Sequence, residues 1–535
     1  MGKRKRGDGA AGAACPNRAA AHQPQEPTTA TKKAKITMAN DPAPTPANGT
    51  ASPPFVLQIV TGSYDRVLHG LTATISLSAD GNDGSGKDDD RVEFADTFLF
   101  NAHSSAIRCL ALSPPSAPEP GRLQKVMLAS GSSDERVNVY SISAHPPRRK
   151  AGQDFLSSAT PRRILENPKN RELGALLHHA STVTRLAFPT RSKLMSASED
   201  STVAVTRTRD WALLSTVRAP VPKPQGRPSG DTAALGATPA GVNDFAVHPS
   251  MKLMITVSRG ERCMRLWNLM TAKRAGVLNF GRDALQEVGE GGRASSGEGR
   301  RVVWGATEDG DEFCVAFDHG ALVFGMDSTP KCRVVPSPRR KIHEIRYLTL
   351  DTTSESSLIA TSTEDGRILF FSTRSEDLAP ATEPSSSSTT AGAEGRRKAA
   401  PLPAAKLVAQ LGGKEAGVSA RIKDFAIVRL VGQAGGGGGR DDTLIIATGS
   451  SDGTLRVFKL GVAELTAAQK SATAKTVGKL LGTYETQNRI TCLEAFAMIP
   501  RPEGVEDSED DDEFEDVSED EDEDEDKDGG ENEEG

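Results

Sequence analysis

A closed, all-β propeller of seven blades is the fold this sequence predicts. Three observations carry that expectation: a hairpin motif that recurs seven times, a second apolar unit ahead of most copies, and complementary half-units at the two ends of the chain.

The hairpin reads VTGSYDRVLHGL, LASGSSDERVNVY, MSASEDSTVAVT, ITVSRGERCMRLW, CVAFDHGALVF, IATSTEDGRILFF and IATGSSDGTLRVF. Its turn acid is Asp65, Asp134, Asp200, Glu261, Asp318, Asp365 and Asp452 in turn. Six residues after each stands Leu71, Tyr140, Thr206, Trp267, Phe324, Phe371 and Phe458, apolar or aromatic in all but one. Asp bonds its own backbone in tight turns and Gly tolerates positive φ, while alternating β-branched residues on either side suit half-buried strands. The seven acids are therefore expected to be structural turn residues with no catalytic role.

The second unit places apolar residues three apart: Ile107/Leu110, Val183/Leu186, Val242/Phe245, Ile342/Ile345, Ile422/Phe425 and Ile490/Leu493, with a degenerate fifth copy at Arg301 and Trp304. One more short strand lies upstream of most copies, as in TFLFNAH, LGALLHHA, AKLVAQLGG and KLLGTYET. Four strands per unit is the arrangement of a propeller blade. The first hairpin has no strand pair before it, and the last pair, KLLGTYET with RITCLEAF, has no hairpin after it. Residues 478–498 are thus expected to supply the outer and inner-adjacent strands of the first blade, closing the ring without a long free edge. Two stacked β-sandwiches would leave these complementary halves unexplained.

Successive turn acids lie 69, 66, 61, 57, 47 and 87 residues apart, against about 40–45 for a plain WD repeat. The excess falls in polar insertions at 80–91, 146–172, 219–240, 281–300, 375–404 and 434–439, which are expected to be mobile loops. The domain reading is a disordered basic tail over 1–54, a seven-bladed WD-repeat β-propeller over 55–498, and a disordered acidic tail over 499–535.

Composition agrees with an interrupted fold: 51 Gly, 32 Pro, 36% hydrophobic and only 4% aromatic residues in 535. The net charge of −7 is very uneven, because residues 502–535 hold 22 acidic side chains against one Lys while the rest of the chain is basic. Such asymmetry suits a polyanionic partner for the body or a basic one for the tail. Cys15, Cys109, Cys263, Cys314, Cys332 and Cys492 form no CxxC pair, so neither a zinc site nor a disulfide framework is expected. No apolar run approaches membrane-spanning length and no signal-peptide core precedes residue 54, so the chain is expected to be soluble and intracellular, with no membrane partner. The Asn48-Gly49-Thr50 sequon then carries no meaning.

Two nucleotide-like motifs fail on inspection. In Gly81-Asn82-Asp83-Gly84-Ser85-Gly86-Lys87-Asp88 the last position lacks the hydroxyl that holds magnesium, and acids follow it. Gly7-Asp8-Gly9-Ala10-Ala11-Gly12 follows no strand. Nine His residues form no HxxxH pair, and no Ser/His/Asp or Cys/His set stands apart from the repeats. His103 and His179 match the position at which WD repeats place a His that bonds the turn Asp, and His178 and His248 read as surface residues. No catalytic, cofactor or metal site is expected, and the chain reads as a non-enzymatic scaffold. Lys3, Arg4, Lys5 and Arg6 with Lys32, Lys33 and Lys35 read as a nuclear-localisation patch. Ser508 and Ser518, each followed by acids, are candidate phosphorylation sites.

LWNLMTAKRAG at 266–276, VFGMDSTPKCR at 323–333, LGGKEAGVSARIKDF at 411–425 and LLGTYETQNRITCLEAF at 480–496 resemble the PAK-interacting-protein (Mak-eleven-like) family of WD-repeat ribosome assembly factors. The resemblance spans roughly 55–498 outside the insertions. It implies a nucleolar propeller needed for maturation of the large (60S) ribosomal subunit, a monomer within the pre-60S particle contacting assembly proteins and rRNA. It also implies an alternative: a signalling adaptor that binds and restrains a p21-activated kinase. Within the segment 412–423, expected to link the outer and inner strands of the seventh blade, Lys414, Arg421 and Lys423 are the candidate partner contacts. The glycines there are expected to let backbone approach a ligand closely.

Overall fold

The computed structural model describes residues 54–77, 90–147, 164–221, 241–292, 295–350, 357–379, 401–430 and 442–501. Their strands, numbered along the chain, build seven antiparallel sheets. From the axis outward, blade 1 is β29 (Ile490–Ala497), β1 (Phe55–Ser63), β2 (Val67–Ser76) and β3 (Arg91–Asn101). Blade 2 is β4 (Ile107–Leu112), β5 (Lys125–Ser132), β6 (Val137–Ser143) and β7 (Arg171–Leu176). Blade 3 is β8 (Val183–Thr190), β9 (Lys193–Ser198), β10 (Thr202–Arg207) and β11 (Leu213–Arg218). Blade 4 is β12 (Val242–Val247), β13 (Leu253–Ser258), β14 (Cys263–Asn268) and β15 (Lys273–Asn279). Blade 5 is β16 (Arg301–Thr307), β17 (Gly310–Ala316), β18 (Ala321–Gly325) and β19 (Pro330–Val334). Blade 6 is β20 (Ile342–Thr349), β21 (Ser357–Thr363), β22 (Arg367–Ser372) and β23 (Lys406–Gly412), with a fifth, parallel strand β27 (Lys475–Thr476). Blade 7 is β24 (Ile422–Leu430), β25 (Thr443–Ser450), β26 (Thr454–Gly461) and β28 (Lys479–Glu485). The seven inner strands pack side by side into a closed ring. The chain is a seven-bladed β-propeller.

The ring closes between the chain ends, but with different strands from those expected. Only β29 enters blade 1, as its innermost strand, running antiparallel to β1 from Leu57↔Ala497 to Ser63↔Ile490. The KLLGTYET strand instead completes blade 7 as β28, paired with β26. The same shift holds around the ring: TFLFNAH lies in β3 and ends blade 1, and AKLVAQLGG forms β23 and ends blade 6. Apart from the added β27, the strands of blades 2 to 7 follow chain order outward, and the cross-over to the next blade comes after the fourth strand. Tyr484 of β28 then donates to Asp96 of β3 at 2.6 Å, which also pairs with His69, binding blade 7 to blade 1 outside the seam.

Blades pack through residues the repeat itself supplies. An ideal Cβ on Gly62, Gly131 or Gly449 would lie 2.7 Å from Ile107, 2.7 Å from Val183 or 2.8 Å from Ile490, the first inner-strand residue of the following blade. Glycine at these places lets that residue nest against the sheet. Six inner strands also begin with a register shift, after Ile107, Val183, Val242, Ile342, Ile422 and at the Ser63/Ile490 end of β29. Such a bulge re-aims one side chain toward the neighbouring blade.

Two segments depart from their expected disorder. Residues 281–300, read as a mobile loop, contain the helix Arg282–Glu287, and Leu285 and Val288 are buried with Phe280, Phe317 and Phe324. Leu285 and Val288, three residues apart on one helical face, anchor it in that cluster. At the other end Ile499, assigned to the acidic tail, donates to Ala144 O at 2.8 Å and its carbonyl meets the His145 ring at 3.0 Å, so the folded body runs past residue 498. The helix Val462–Gln469, which buries Leu465 and Ala468 against blades 6 and 7, is an element the repeat pattern does not announce. No helix of the described residues is long and apolar enough to cross a membrane.

Truncation after residue 477 removes the outer strand of blade 7 and the inner strand of blade 1 together. It is expected to abolish cooperative thermal unfolding and cause aggregation, whereas truncation after Arg501 leaves the melting curve unchanged; circular dichroism decides, and matching melts for all three chains would refute the closure. Gly131→Ala, whose methyl must displace Val183, is expected to cost about 1–3 kcal/mol in denaturant unfolding.

Candidate partner-binding face

The hairpin turns and the starts of the inner strands lie at one end of the propeller. Asp134 there accepts from Ser104 N at 2.9 Å, from Arg136 N at 3.2 Å and from the His103 ring at 3.1 Å, while His103 Nε2 meets Ser130 Oγ at 2.8 Å. Asp200 repeats the arrangement with Ala180 N, Thr202 N and His179. Burial opposes the charge on both acids, but these bonds outweigh it and hold both carboxyls below the usual range. Burial pushes the His103 imidazole down, against the pull of Asp134.

The other turn acids are used differently. Asp452 caps its turn through Thr454 N at 3.0 Å, Asp365 pairs with Arg367 at 2.7 Å, and Asp65 accepts from Arg489 N at 3.0 Å across the seam. Glu261 forms a bidentate ion pair with Arg265, and Asp318 binds Lys341 at 2.8 Å. His248 bridges Ser250 at 2.8 Å and Asp311 at 3.2 Å, and His178 is half-buried. All five described cysteines are buried; Cys15 lies outside the described residues.

Inside the ring, the inner strands carry a row of charges the apolar pattern hides. Arg185 lies 3.4 Å from both Asp244 and Glu344, Arg301 3.0 Å from Glu344, and Arg346 2.9 Å from Glu494 and 3.3 Å from Asp424. Asp244 also accepts Val302 N at 3.0 Å, and Asp424 accepts Leu493 N at 2.9 Å, so each carboxylate is stitched to the next blade's backbone. Burial pushes Asp424 up to about 6 despite Arg346 beside it. Burial opposes the charge on Glu344 too, but Arg301, Arg185 and Arg346 together hold it below the ordinary range.

At the mouth of this channel two positions recur on the blades. The residue just before the inner strand is Ala106, Thr182, Gly241, Arg300, Lys341, Arg421 or Arg489, and in six blades its carbonyl accepts from the hairpin turn of the same blade. The bulged residue after the strand's first position is Arg108, Thr184, Asn243, His343, Lys423 or Thr491. Thr184, Asn243 and Thr491 donate from their side chains to backbone carbonyls of the following blade, at 2.6, 2.9 and 2.7 Å. His343 and Lys423 do not: His343 Nε2 has no hydrogen-bond partner among the described residues. Burial, then Lys423, Lys341 and Arg421, push His343 down to about 4, and burial with Arg421, Arg489 and Lys341 pushes Lys423 down. The mouth is therefore basic on the side of blades 5, 6, 7 and 1.

The structure brings two of the three candidate contacts to this mouth. Arg421 precedes β24, paired with Glu364 at 3.3 Å and half-exposed, and Lys423 is the bulged residue two positions on. Lys414 is exposed on the 3-10 turn Lys414–Ala416, earlier in the loop. That loop joins the outer strand of blade 6 to the inner strand of blade 7, not two strands of blade 7 as expected. Its glycines serve the fold: Gly412, Gly413 and Gly417 have φ of 78°, 90° and 74°, and a Cβ on Gly412 would lie 2.8 Å from Gly366 O in the neighbouring turn. The loop's close approach is to blade 6. Lys3, Arg4, Lys5, Arg6, Lys32, Lys33, Lys35, Ser508 and Ser518 lie outside the described residues.

Residues 170–205, from the outer strand of blade 2 through β9 into β10 of blade 3, match the WD domain, G-beta repeat family. Across most of its length the chain is similar to p21-activated protein kinase-interacting protein 1-like of Danio rerio, 22% identical over 82% of this chain and 80% of that one. Protein MAK11 of Saccharomyces cerevisiae is 26% identical over 59% of this chain and 62% of its own. The chain is a WD-repeat homologue of the PAK-interacting-protein 1-like and MAK11 proteins. A Xenopus laevis kinase-interacting relative aligns over 85% of this chain at 21% identity.

Asp200→Ala strips an acceptor from His179, Ala180 N and Thr202 and is expected to destabilise by about 1–3 kcal/mol. Because the folded carboxyl is held low, its contribution is present above the ordinary Asp range and is lost as pH falls through it. The variant's stability should therefore fall less steeply than the parent's between about pH 5 and 3, as measured by urea melts at each pH; equal slopes would refute it.

Proposed function

We propose that this protein is a non-catalytic scaffold for assembly of the large (60S) ribosomal subunit in the nucleolus, docked on the pre-60S particle as a single copy. The similarity to MAK11 and the kinase-interacting relatives over most of the folded body carries this reading, since the ribosomal role is what the family resemblance implies. The basic side of the channel mouth supports it, offering Arg421 and Lys423 to a charged partner. Lys414 extends the same loop outward. Residues 1–54 act as the import segment through their basic clusters.

A second reading rests on the relatives' names. Shk1 kinase-binding protein 15 of Schizosaccharomyces pombe, 22% identical over 42% of this chain, joins the kinase-interacting relatives in pointing to an adaptor that restrains a p21-activated kinase. The two separate on one gradient. A scaffold migrates with large, salt-sensitive particles containing 60S precursors, while an adaptor migrates with a kinase at low mass.

Reversal of Lys414, Arg421 and Lys423 to Glu is expected to release the protein from those particles at physiological salt while the purified variant still unfolds cooperatively. Retained co-sedimentation would move the docking site elsewhere. Replacing Lys3, Arg4, Lys5, Arg6, Lys32, Lys33 and Lys35 by Ala is expected to raise the cytoplasmic fraction seen by fluorescence microscopy without changing the melting curve; unaltered nuclear signal would remove the import role from these residues.

A further inference from the structure

The two recurring mouth positions make the ring's asymmetry specific. Before the inner strand, blades 2, 3 and 4 carry Ala106, Thr182 and Gly241, whereas blades 5, 6, 7 and 1 carry Arg300, Lys341, Arg421 and Arg489. At the bulge, blades 1, 3 and 4 have residues whose side chains bond backbone of the following blade. Blades 6 and 7 have His343 and Lys423, which make no such bond.

Carboxylates answer only part of this charge. Arg300 pairs with Glu298 and Asp318, Lys341 with Asp318, and Arg421 with Glu364. Among the described residues Lys423 and Arg489 have no carboxylate partner. Arg489 lies instead over the exposed Tyr64 ring, 5.5 Å from its centre. Lys423 is half-buried, with Arg421, Arg489 and Lys341 among its charged neighbours and Glu364 opposing them. Like charges gathered on a partly desolvated site raise its energy until an anion joins them.

We propose that the mouth at blades 6, 7 and 1 binds a single phosphomonoester dianion presented by a protein segment, with Lys423 and Arg489 as its direct ligands and His343 as a neighbouring donor. On the neighbouring blades 7 and 1, Lys423 and Arg489 match the two charges of a phosphorylated Ser or Thr side chain, while the exposed Arg108 lies one blade further on. Arg489 supplies the planar fork suited to phosphate, and Lys423 a point charge recessed by one residue into the strand. A continuous nucleic-acid backbone fits less well. Glu298, Asp318 and Glu364 stand among the cations, and the other half of the mouth carries no charge before its strands and only Arg108 at its bulges, so successive phosphates would find neither a continuous track nor a uniform field. One phosphate reaching inward avoids both obstacles.

The inference rests on the partner-face reading above to the extent that Arg421 and Lys423 belong to both, and it supplies the ligand class. It is tested on the purified full chain, so it can fail while particle association stands, or hold while that association fails. Fluorescence anisotropy is measured with a labelled decapeptide of Gly, Ser and Ala bearing one phosphoserine, with its unphosphorylated twin, and with a labelled single-stranded RNA of the same length. The phosphopeptide is expected to bind, to be displaced by inorganic phosphate and to weaken with salt, and the twin is expected not to bind. Lys423→Gln and the exposed-site variant Arg489→Gln should each weaken phosphopeptide binding about tenfold, as loss of one charge-assisted contact does. Lys414→Gln, in the same loop but outside the mouth, should leave it unchanged. Equal binding of the twin, no phosphopeptide binding, unaltered affinity in both Lys423→Gln and Arg489→Gln, or RNA held through Lys423 in place of the phosphopeptide would each overturn the proposal.

Discussion

The pairing of β29 with β1 is the constraint from which the rest of the structure follows. Before it forms, the chain is a row of sheets in which the innermost strand of blade 1 is missing and β1 offers an open edge. After it forms, every inner strand has a neighbour on both sides. Joining residues this far apart in sequence is not prohibitive, because loop-closure entropy grows only with the logarithm of length; a loop of about 430 residues costs roughly 1 kcal/mol more to close than one of about 100. The return is packing on two fronts. Ile490 and Leu493 enter the cluster of Leu455 and Val457 in blade 7, while Cys492 enters that of Val60, Ile107 and Leu110 toward blade 2. One strand therefore belongs to three blades at once.

Closure also explains how charged side chains persist along the channel. A buried ion pair is weak evidence of stability, since desolvation offsets most of the attraction. Asp244 and Asp424 do something an apolar pair would not: each reaches across to a backbone N–H of the following blade. Arg185 and Arg346, each about a quarter exposed, keep contact with solvent along the channel while bridging acids of two further blades. These bonds fix how one blade sits against the next, a register that interdigitated aliphatic side chains specify less sharply.

The repeat was legible because its elements are local. The turn acid and the Gly that admits the next blade lie within one hairpin, and in blades 2 to 7 the apolar pair of the inner strand comes directly before that hairpin in the chain. Strand allocation was not, because KLLGTYET and RITCLEAF are adjacent in sequence and nothing local says that the chain passes from one blade to the next between them. The short linker Thr486–Arg489 is that passage. Residues 281–300 were misjudged on their Gly, Ser and Glu content, which masked Leu285 and Val288. Of the site, Arg421 and Lys423 stood out as charges in a loop. Arg489, His343 and Lys341 did not, since only the ring places three separate inner strands side by side. The signal was present in the repeat: aligned on the inner-strand apolar pair, the preceding residue is basic in the last three copies, Lys341, Arg421 and Arg489.

That alignment shows why a propeller can carry a one-sided site without strain. Backbone bonding before each inner strand is the same whether the residue is Ala106 or Arg421, because the carbonyl, not the side chain, meets the hairpin turn. The bulge likewise asks only for a residue that tolerates its backbone. Side chains at these two positions are therefore free to differ among blades while the fold is held elsewhere, by the glycines, the apolar pairs and the seam. Blades 3 and 4 use that freedom for inter-blade hydrogen bonds through Thr184 and Asn243; blades 6 and 7 use it to gather positive charge. The cost is local, a depressed imidazole and a crowded ammonium, and it is the kind of cost that binding an anion removes.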